Sequence, residues 1–260
     1  RGVLEDVGTK AEDKAVEDLI EVRIDTEQPD KFFLLGSSLP ATERTKMVEF
    51  LMANIEVFAW SPYDMPGLDP SFICHHLNVF PGAKPVSQRT RRSELHHAEV
   101  VVEEVKNLLE ARAIQEVHYP RWISNTIVVP KKNGKWRVCV DYKTVNLACP
   151  KDSFPLPRID QLMDLTAGHN RLSYLDAYRG YHQIAMHGPD REITSFTTPR
   201  GLFCYRVKPF GLKNAGATFQ RMETKKFAPL LGRTMEAYID DMVVKSRHQA
   251  DHLSDLSEMF

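Results

Sequence analysis

The sequence predicts an α+β fold organised around an antiparallel sheet, and three observations predict it. The run I-V-V-P-K-K-N-G-K-W-R-V-C-V places two β-rich segments around Asn133-Gly134, a dipeptide that suits a tight hairpin turn. Pro199-Arg200-Gly201 separates I-T-S-F-T-T from L-F-C-Y-R-V, a second hairpin. Apolar residues at helical spacing mark other segments: Ala98, Val101, Val102, Val105, Leu108 and Leu109 recur on one face. Hairpins mixed with helices argue for this class.

In chain order, residues 1–30 are acidic and poor in aromatics, and they read as mostly linker. Pro40 through Asn54 has helical periodicity in Met47, Phe50 and Leu51. F-A-W-S-P-Y-D-M-P-G-L-D-P, with three prolines and a glycine, is a turn-rich loop. Ser93 can cap a long helix running to about Ala111. The first hairpin is basic at its turn, through Lys131, Lys132, Lys135 and Arg137. Taken alone, such charge reads as a solvated tip; the sharper reading is a finger that closes over a polyphosphate. After the proline-stiffened loop P-K-D-S-F-P-L-P, Arg158–Leu165 reads as a short helix. R-L-S-Y-L-D is a strand ending at Asp176. Asn214–Phe227 is helical, Thr234–Ile239 and Met242–Lys245 are strands meeting at Asp240-Asp241, and a last helix begins near Gln249.

Composition narrows the classes. No apolar run approaches the roughly 18 residues of a membrane span, and the N-terminal residues lack a signal peptide's apolar stretch. With no initiating Met, the chain reads as a piece of something longer. Cys74, Cys139, Cys149 and Cys204 form no C-x-x-C pair and fit reduced thiols. The net charge of −1 hides an asymmetry: residues 1–80 carry 7 Lys+Arg against 15 Asp+Glu, and residues 81–260 carry 27 against 20. The basic excess of the second part permits a phosphate-backbone partner. A zinc module is disfavoured. His75-His76 and His96-His97 are adjacent pairs that cannot both face one ion from a regular element, and apart from Cys74 no cysteine lies at ligand spacing. They read as surface histidines.

The pair Asp240-Asp241 sits in an apolar run, A-Y-I-D-D-M-V-V. Burying a carboxylate without a partner costs several kcal/mol, and a second beside it adds repulsion. One reading is a polar turn, for which Asp is a common residue. The other is a divalent-metal site: magnesium prefers oxygen ligands and needs only one or two carboxylates plus substrate phosphates. Two such ions support in-line displacement at phosphorus. Asp176, at the end of a separate strand, supplies a third carboxylate on which that chemistry can draw.

Y-I-D-D resembles the Y-x-D-D signature of reverse transcriptases, and the surroundings extend the match. L-D-A-Y-R-G-Y-H-Q-I looks like the first catalytic motif, F-G-L-K-N-A-G-A-T-F-Q-R like the motif that contacts template and nucleotide, and K-K-N-G-K-W-R-V-C-V-D-Y like the fingers hairpin. C-P-K-D-S-F-P-L-P-R-I-D resembles the join after it. The wording is similar to the pol polyprotein of gypsy-class LTR retrotransposons, especially those of plants, from about Trp60 onward. The resemblance implies an RNA-directed DNA polymerase of right-hand fold, in which a primer 3′-hydroxyl attacks a deoxynucleotide on an RNA or DNA template with two magnesium ions, or manganese.

Carried over by position, the resemblance implies that Asp176, Asp240 and Asp241 are catalytic and bind metal, with the Ala177 carbonyl as a further ligand. Tyr181 would lie under the sugar and exclude a 2′-hydroxyl, although a tyrosine there otherwise reads as core. Lys131 or Lys132 and Arg137 would hold the triphosphate, and Phe210 and Gly211 would line the nucleotide pocket. Residues 1–80 would lie between protease and polymerase, 81–150 and about 185–208 would be fingers, and 151–184 and 209–260 a partial palm. The thumb, connection and RNase H would lie outside the chain. The setting would be intracellular, in a cytoplasmic virus-like particle, with no membrane. The alternative is a catalytically inert fingers-and-palm remnant that at most binds nucleic acid. Two departures stand out: Gly216 where many relatives have proline, and Lys208 where the family has methionine. A buried lysine there is costly unless its ammonium snorkels out. R-M-E-T-K-K-F also places charges where relatives have an apolar helix face.

Overall fold

The computed structural model describes residues 17–24, 31–61, 64–90, 94–130, 134, 136–157 and 164–260. I-E-V-R alternates apolar and polar residues, and the apolar run F-F-L-L alternates in burial, giving β1 (Leu19–Arg23) and β2 (Phe32–Gly36), an antiparallel hairpin. Helix α1 (Ala41–Ala53) packs on it. Phe33, Leu35 and Leu51 form a buried cluster there, bordered by Phe58, Trp60 and Phe260. The linker reading of residues 1–30 therefore needs correction at Leu19–Arg23. Acidic composition concealed a strand whose Ile20 and Val22 face this cluster.

The main core lies between α2 (Leu95–Glu110) and a five-stranded sheet. Val101, Val105 and Leu108, from the predicted face, are its buried helix residues. The sheet order is β4-β10-β9-β5-β6, with β4 Ile114–Glu116, β5 Ser124–Pro130, β6 Trp136–Val140, β9 Phe196–Thr198 and β10 Gly201–Tyr205. Both predicted hairpins are present, with Pro130 opposite Trp136 and Thr198 opposite Gly201. They join through a parallel β5–β9 contact, so the sheet is mixed rather than wholly antiparallel. The tip residues Lys131, Lys132, Asn133 and Lys135 lie outside the described residues, as do the Ser93 cap and residues 158–163 of the short predicted helix.

A second sheet carries the carboxylates. Its order is β11-β12-β7, all antiparallel: β7 Arg171–Asp176, β11 Met235–Tyr238 and β12 Asp241–Ser246. Helix α4 (Ala215–Lys226) packs against β11, and α5 (His252–Met259) against β12. Short strands β3 (Cys74–His75) and β8 (Ala185–Met186) pair in parallel. A short helix, α3 (Lys143–Leu147), follows β6. No helix among the described residues is long and apolar enough to cross a membrane.

Candidate active site

Strand pairing sets the positions of the three aspartates. Asp241 opens β12 directly opposite Asp176, the last residue of β7. Opposed residues in a ladder point to the same face, so the two carboxylates stand side by side. Asp240 lies in the turn between β11 and β12, and its carbonyl accepts a hydrogen bond from the Ala177 N–H at 3.0 Å. The residue before it, Ile239, has φ 43°, a left-handed conformation that a β-branched residue rarely adopts. Gln220 on α4 holds it there: its Oε1 accepts from the Ile239 N–H at 3.0 Å and its Nε2 donates to the Ala237 carbonyl at 3.2 Å. Gln220 lay within the quoted motif, but its role as a clamp depends on a contact across 19 residues.

The electrostatics are those of a site short of positive charge. Burial, and then Asp241, raise the carboxyl pKa of Asp176. Burial raises Asp240 to about 6, opposed by Lys208 and reinforced by Asp176 and Asp241. The Oδ1 of Asp240 is buried without a hydrogen-bond partner among the described residues. Glu223, on α4, is fully buried with both carboxylate oxygens likewise unpartnered, and burial pushes it up to about 9. Repelling carboxylates around an orphaned oxygen suit a hard divalent cation.

Lys208 corrects the sequence reading. It does not snorkel: it is completely buried, donates from Nζ to the Ala215 carbonyl at 2.8 Å, and lies 3.4 Å from the Tyr181 ring centroid. Burial drives its pKa well below the usual lysine range, with Asp240 and Glu223 pulling the other way. The histidines also need correction. His75 is fully buried on β3, its Nδ1 2.8 Å from the Thr218 hydroxyl, and burial depresses its pKa to about 3.

Tyr181 is buried between Phe219 and Phe210, its ring centroid 4.7 Å from that of Phe210, which is half exposed. Gly211 adopts φ +89°, so its backbone alone calls for glycine, and its carbonyl accepts from Asn146 Nδ2 at 2.8 Å. A side chain on Gly211 would face the Val140 carbonyl at 3.7 Å, so Phe210-Gly211 spans the distance from Tyr181 to the end of β6. Gly180 was not anticipated. A Cβ there would fall 2.7 Å from Asp240 Oδ1 and 2.9 Å from both the Ala177 Cβ and Phe219 Cζ. The Ala177 carbonyl already accepts the Gly180 N–H at 2.9 Å. Gly216 leaves room for Ile239, whose Cδ1 would lie 3.1 Å from an added Cβ. Arg137 is exposed on β6, in the five-stranded sheet and apart from the aspartates; Lys131 and Lys132 lie outside the described residues.

The sequence profile of the family described as reverse transcriptase (RNA-dependent DNA polymerase) matches residues 129–260, just over half of the chain. This chain belongs to the reverse transcriptase family. A curated relative, the retrovirus-related Pol polyprotein from transposon 412 of Drosophila melanogaster, is 34% identical over 183 residues, covering 68% of this chain and 15% of the relative. The protease–reverse transcriptase of prototype foamy virus superposes with TM-score 0.72 at 18% identity, over 85% of this chain and 29% of that one. The foamy viral protein has also been solved in complex with RNA/DNA hybrid, and that structure matches with TM-score 0.65 at 17% identity and the same coverage. The chain thus spans 15% of the curated relative and 29% of the foamy viral chains, and its fold is that of a reverse transcriptase.

Proposed function

We propose that this reverse-transcriptase domain carries out RNA-directed DNA polymerisation, adding deoxynucleotides to a primer 3′-hydroxyl on a nucleic-acid template. The observation that carries the reading is the cross-strand register of Asp176 and Asp241 beside the orphaned Oδ1 of Asp240. Asp176, Asp240 and Asp241 would hold two magnesium ions, with the Ala177 carbonyl offering its remaining lone pair. Ions held there would supply activation of the attacking oxygen and neutralisation of charge on the phosphoryl group.

The chain's own residues do the rest. Gln220 fixes the strained turn, so the carboxylates need little reorganisation before reaction. Tyr181, locked between Phe210 and Phe219, presents a rigid floor that selects deoxyribose by shape. Arg137 and the lysines of the hairpin tip would bind the triphosphate after closure of the hairpin toward the aspartates. Residues 81–150 and about 185–208 act as fingers, and 151–184 and 209–260 as palm. The foamy viral complex with RNA/DNA hybrid supports a template–primer partner.

The test is primer extension on poly(rA)/oligo(dT) with magnesium and dTTP, beside Asp240→Asn/Asp241→Asn. Extension that disappears in the variant supports the reading. Folded protein that binds template–primer without extending it overturns polymerisation by this chain.

A further inference from the structure

We infer that the chain has a second metal site, of the zinc class, formed by His76, His187 and Asp190 with Cys74 as fourth donor, outside the carboxylate cluster. His76, His187 and Asp190 each offer a ligand atom, and these atoms lie within 4.8 Å of one another. His187 Nδ1 is 3.4 Å from Asp190 Oδ2, and Cys74, outside this group of three, has its Sγ 3.2 Å from His76 Nε2. Zinc bonds of about 2.0–2.3 Å in a tetrahedron set neighbouring ligands roughly 3.3–3.6 Å apart, so both pairs are already at or near bonding separation.

Backbone pairing builds this arrangement. Strands β3 and β8 run in parallel, and the His187 N–H donates to the His75 carbonyl at 2.9 Å. His75 points into the core toward Thr218, so its neighbours Cys74 and His76 emerge on the opposite face. Asp190 is held twice: its N–H donates to the His187 carbonyl at 2.9 Å, and its Oδ2 accepts from the Leu77 N–H at 2.9 Å. That bond anchors the carboxylate as outer-shell partners anchor metal ligands. The ring of His76 stacks on that of His187 with centroids 4.1 Å apart. Binding would require these stacked rings to turn about χ2 from this arrangement, so that their lone pairs meet at one point.

The donors select the ion. Two imidazoles, one carboxylate and one thiol are borderline-soft, favouring zinc over magnesium, whereas the aspartate cluster is all oxygen. Binding releases the thiol proton of Cys74 to solvent, which the ion favours by stabilising the thiolate. The ion would join segments 111 residues apart in sequence, tying the chain before α2 to the turn after β8.

The test is zinc titration of the full chain against a chromophoric chelator, with magnesium in large excess, for the parent, His76→Ala and His187→Ala. His76 is exposed, so its replacement leaves the fold intact. The expected result is one zinc equivalent whose affinity falls in both variants by more than the roughly 10–100-fold typical of outer-shell loss. The cobalt-loaded chain should show tetrahedral visible absorption, with a sulfur charge-transfer band that Cys74→Ser removes. Absence of stoichiometric binding, or affinity unchanged in His76→Ala, overturns the site; a cobalt spectrum indifferent to Cys74→Ser overturns the fourth ligand.

Discussion

The side-chain nitrogen of Lys208 lies 3.4 Å from the Tyr181 ring centroid while it donates to the Ala215 carbonyl at 2.8 Å. A polar group thus supports from below the ring proposed to sort sugars. Replacing it with methionine keeps the length and removes a desolvated amine. Lys208→Met should lower stability by about 1–3 kcal/mol, because it strands the Ala215 carbonyl and takes the nearby cation from Asp240 and Glu223. Without this cation the carboxylates attract a divalent ion more strongly than the extra proton competition offsets, so the variant should need less magnesium for extension at neutral pH. Thermal melts and a magnesium titration check both, and a higher melting temperature would show that burying the amine costs more than its interactions contribute.

Gly180→Ala should slow extension on the order of 100-fold while leaving a folded chain. The added methyl meets Asp240 Oδ1 at 2.7 Å with Phe219 and Ala177 closing the other sides, so the carboxylate must move. Displacement by about 1 Å costs on the order of 100-fold in rate. Single-turnover extension and circular dichroism on the same sample check this, and a rate within a few-fold of the parent would refute it.

Gln220→Ala should act on the turn. It strands the Ile239 N–H and the Ala237 carbonyl, each of which costs about 1–3 kcal/mol if left without a partner. Denaturant unfolding should show a loss of about 2–6 kcal/mol for the two groups together, with a larger proportional fall in extension rate. A stability loss with full activity would remove Gln220 from the positioning role.

Glu223→Gln should stabilise the chain increasingly with pH. The folded carboxyl keeps its proton up to about 9, whereas an unfolded one releases it near 4.5. The stability this proton contributes is complete below 4.5 and is lost as pH rises to about 9. Glutamine cannot ionise, so its advantage should grow across that window by at most about 1.4 kcal/mol per pH unit. Melting curves at several pH values measure it, and a pH-independent difference would contradict the burial argument.

Local chemistry made much of this structure legible. Asn133-Gly134 and Pro199-Arg200-Gly201 marked their hairpins because a tight turn is a property of adjacent residues. The α2 face was readable because helical periodicity survives any tertiary context. The family motifs located all three aspartates, but their mutual placement depended on the β7–β12 register, which joins residues 65 apart in sequence. Leu19–Arg23 was misread because net acidity outweighed a short alternation. His75 and Lys208 were misread for a shared reason: a polar side chain enters a core only if distant residues receive it. Thr218 and Ala215 do so, and neither lies beside its partner in sequence. His187 and Asp190 were missed as companions of His76 for that reason too.

The pairing of Asp176 with Asp241 also bears on which sequence changes the chain can survive. Side chains alternate along β12, so a slip of a single residue would turn Asp241 toward the α5 side and expose Val244, which is fully buried. The Ile239-Asp240 corner should accordingly reject any change in length: inserting or deleting one residue there would scatter the carboxylates even with every aspartate still present.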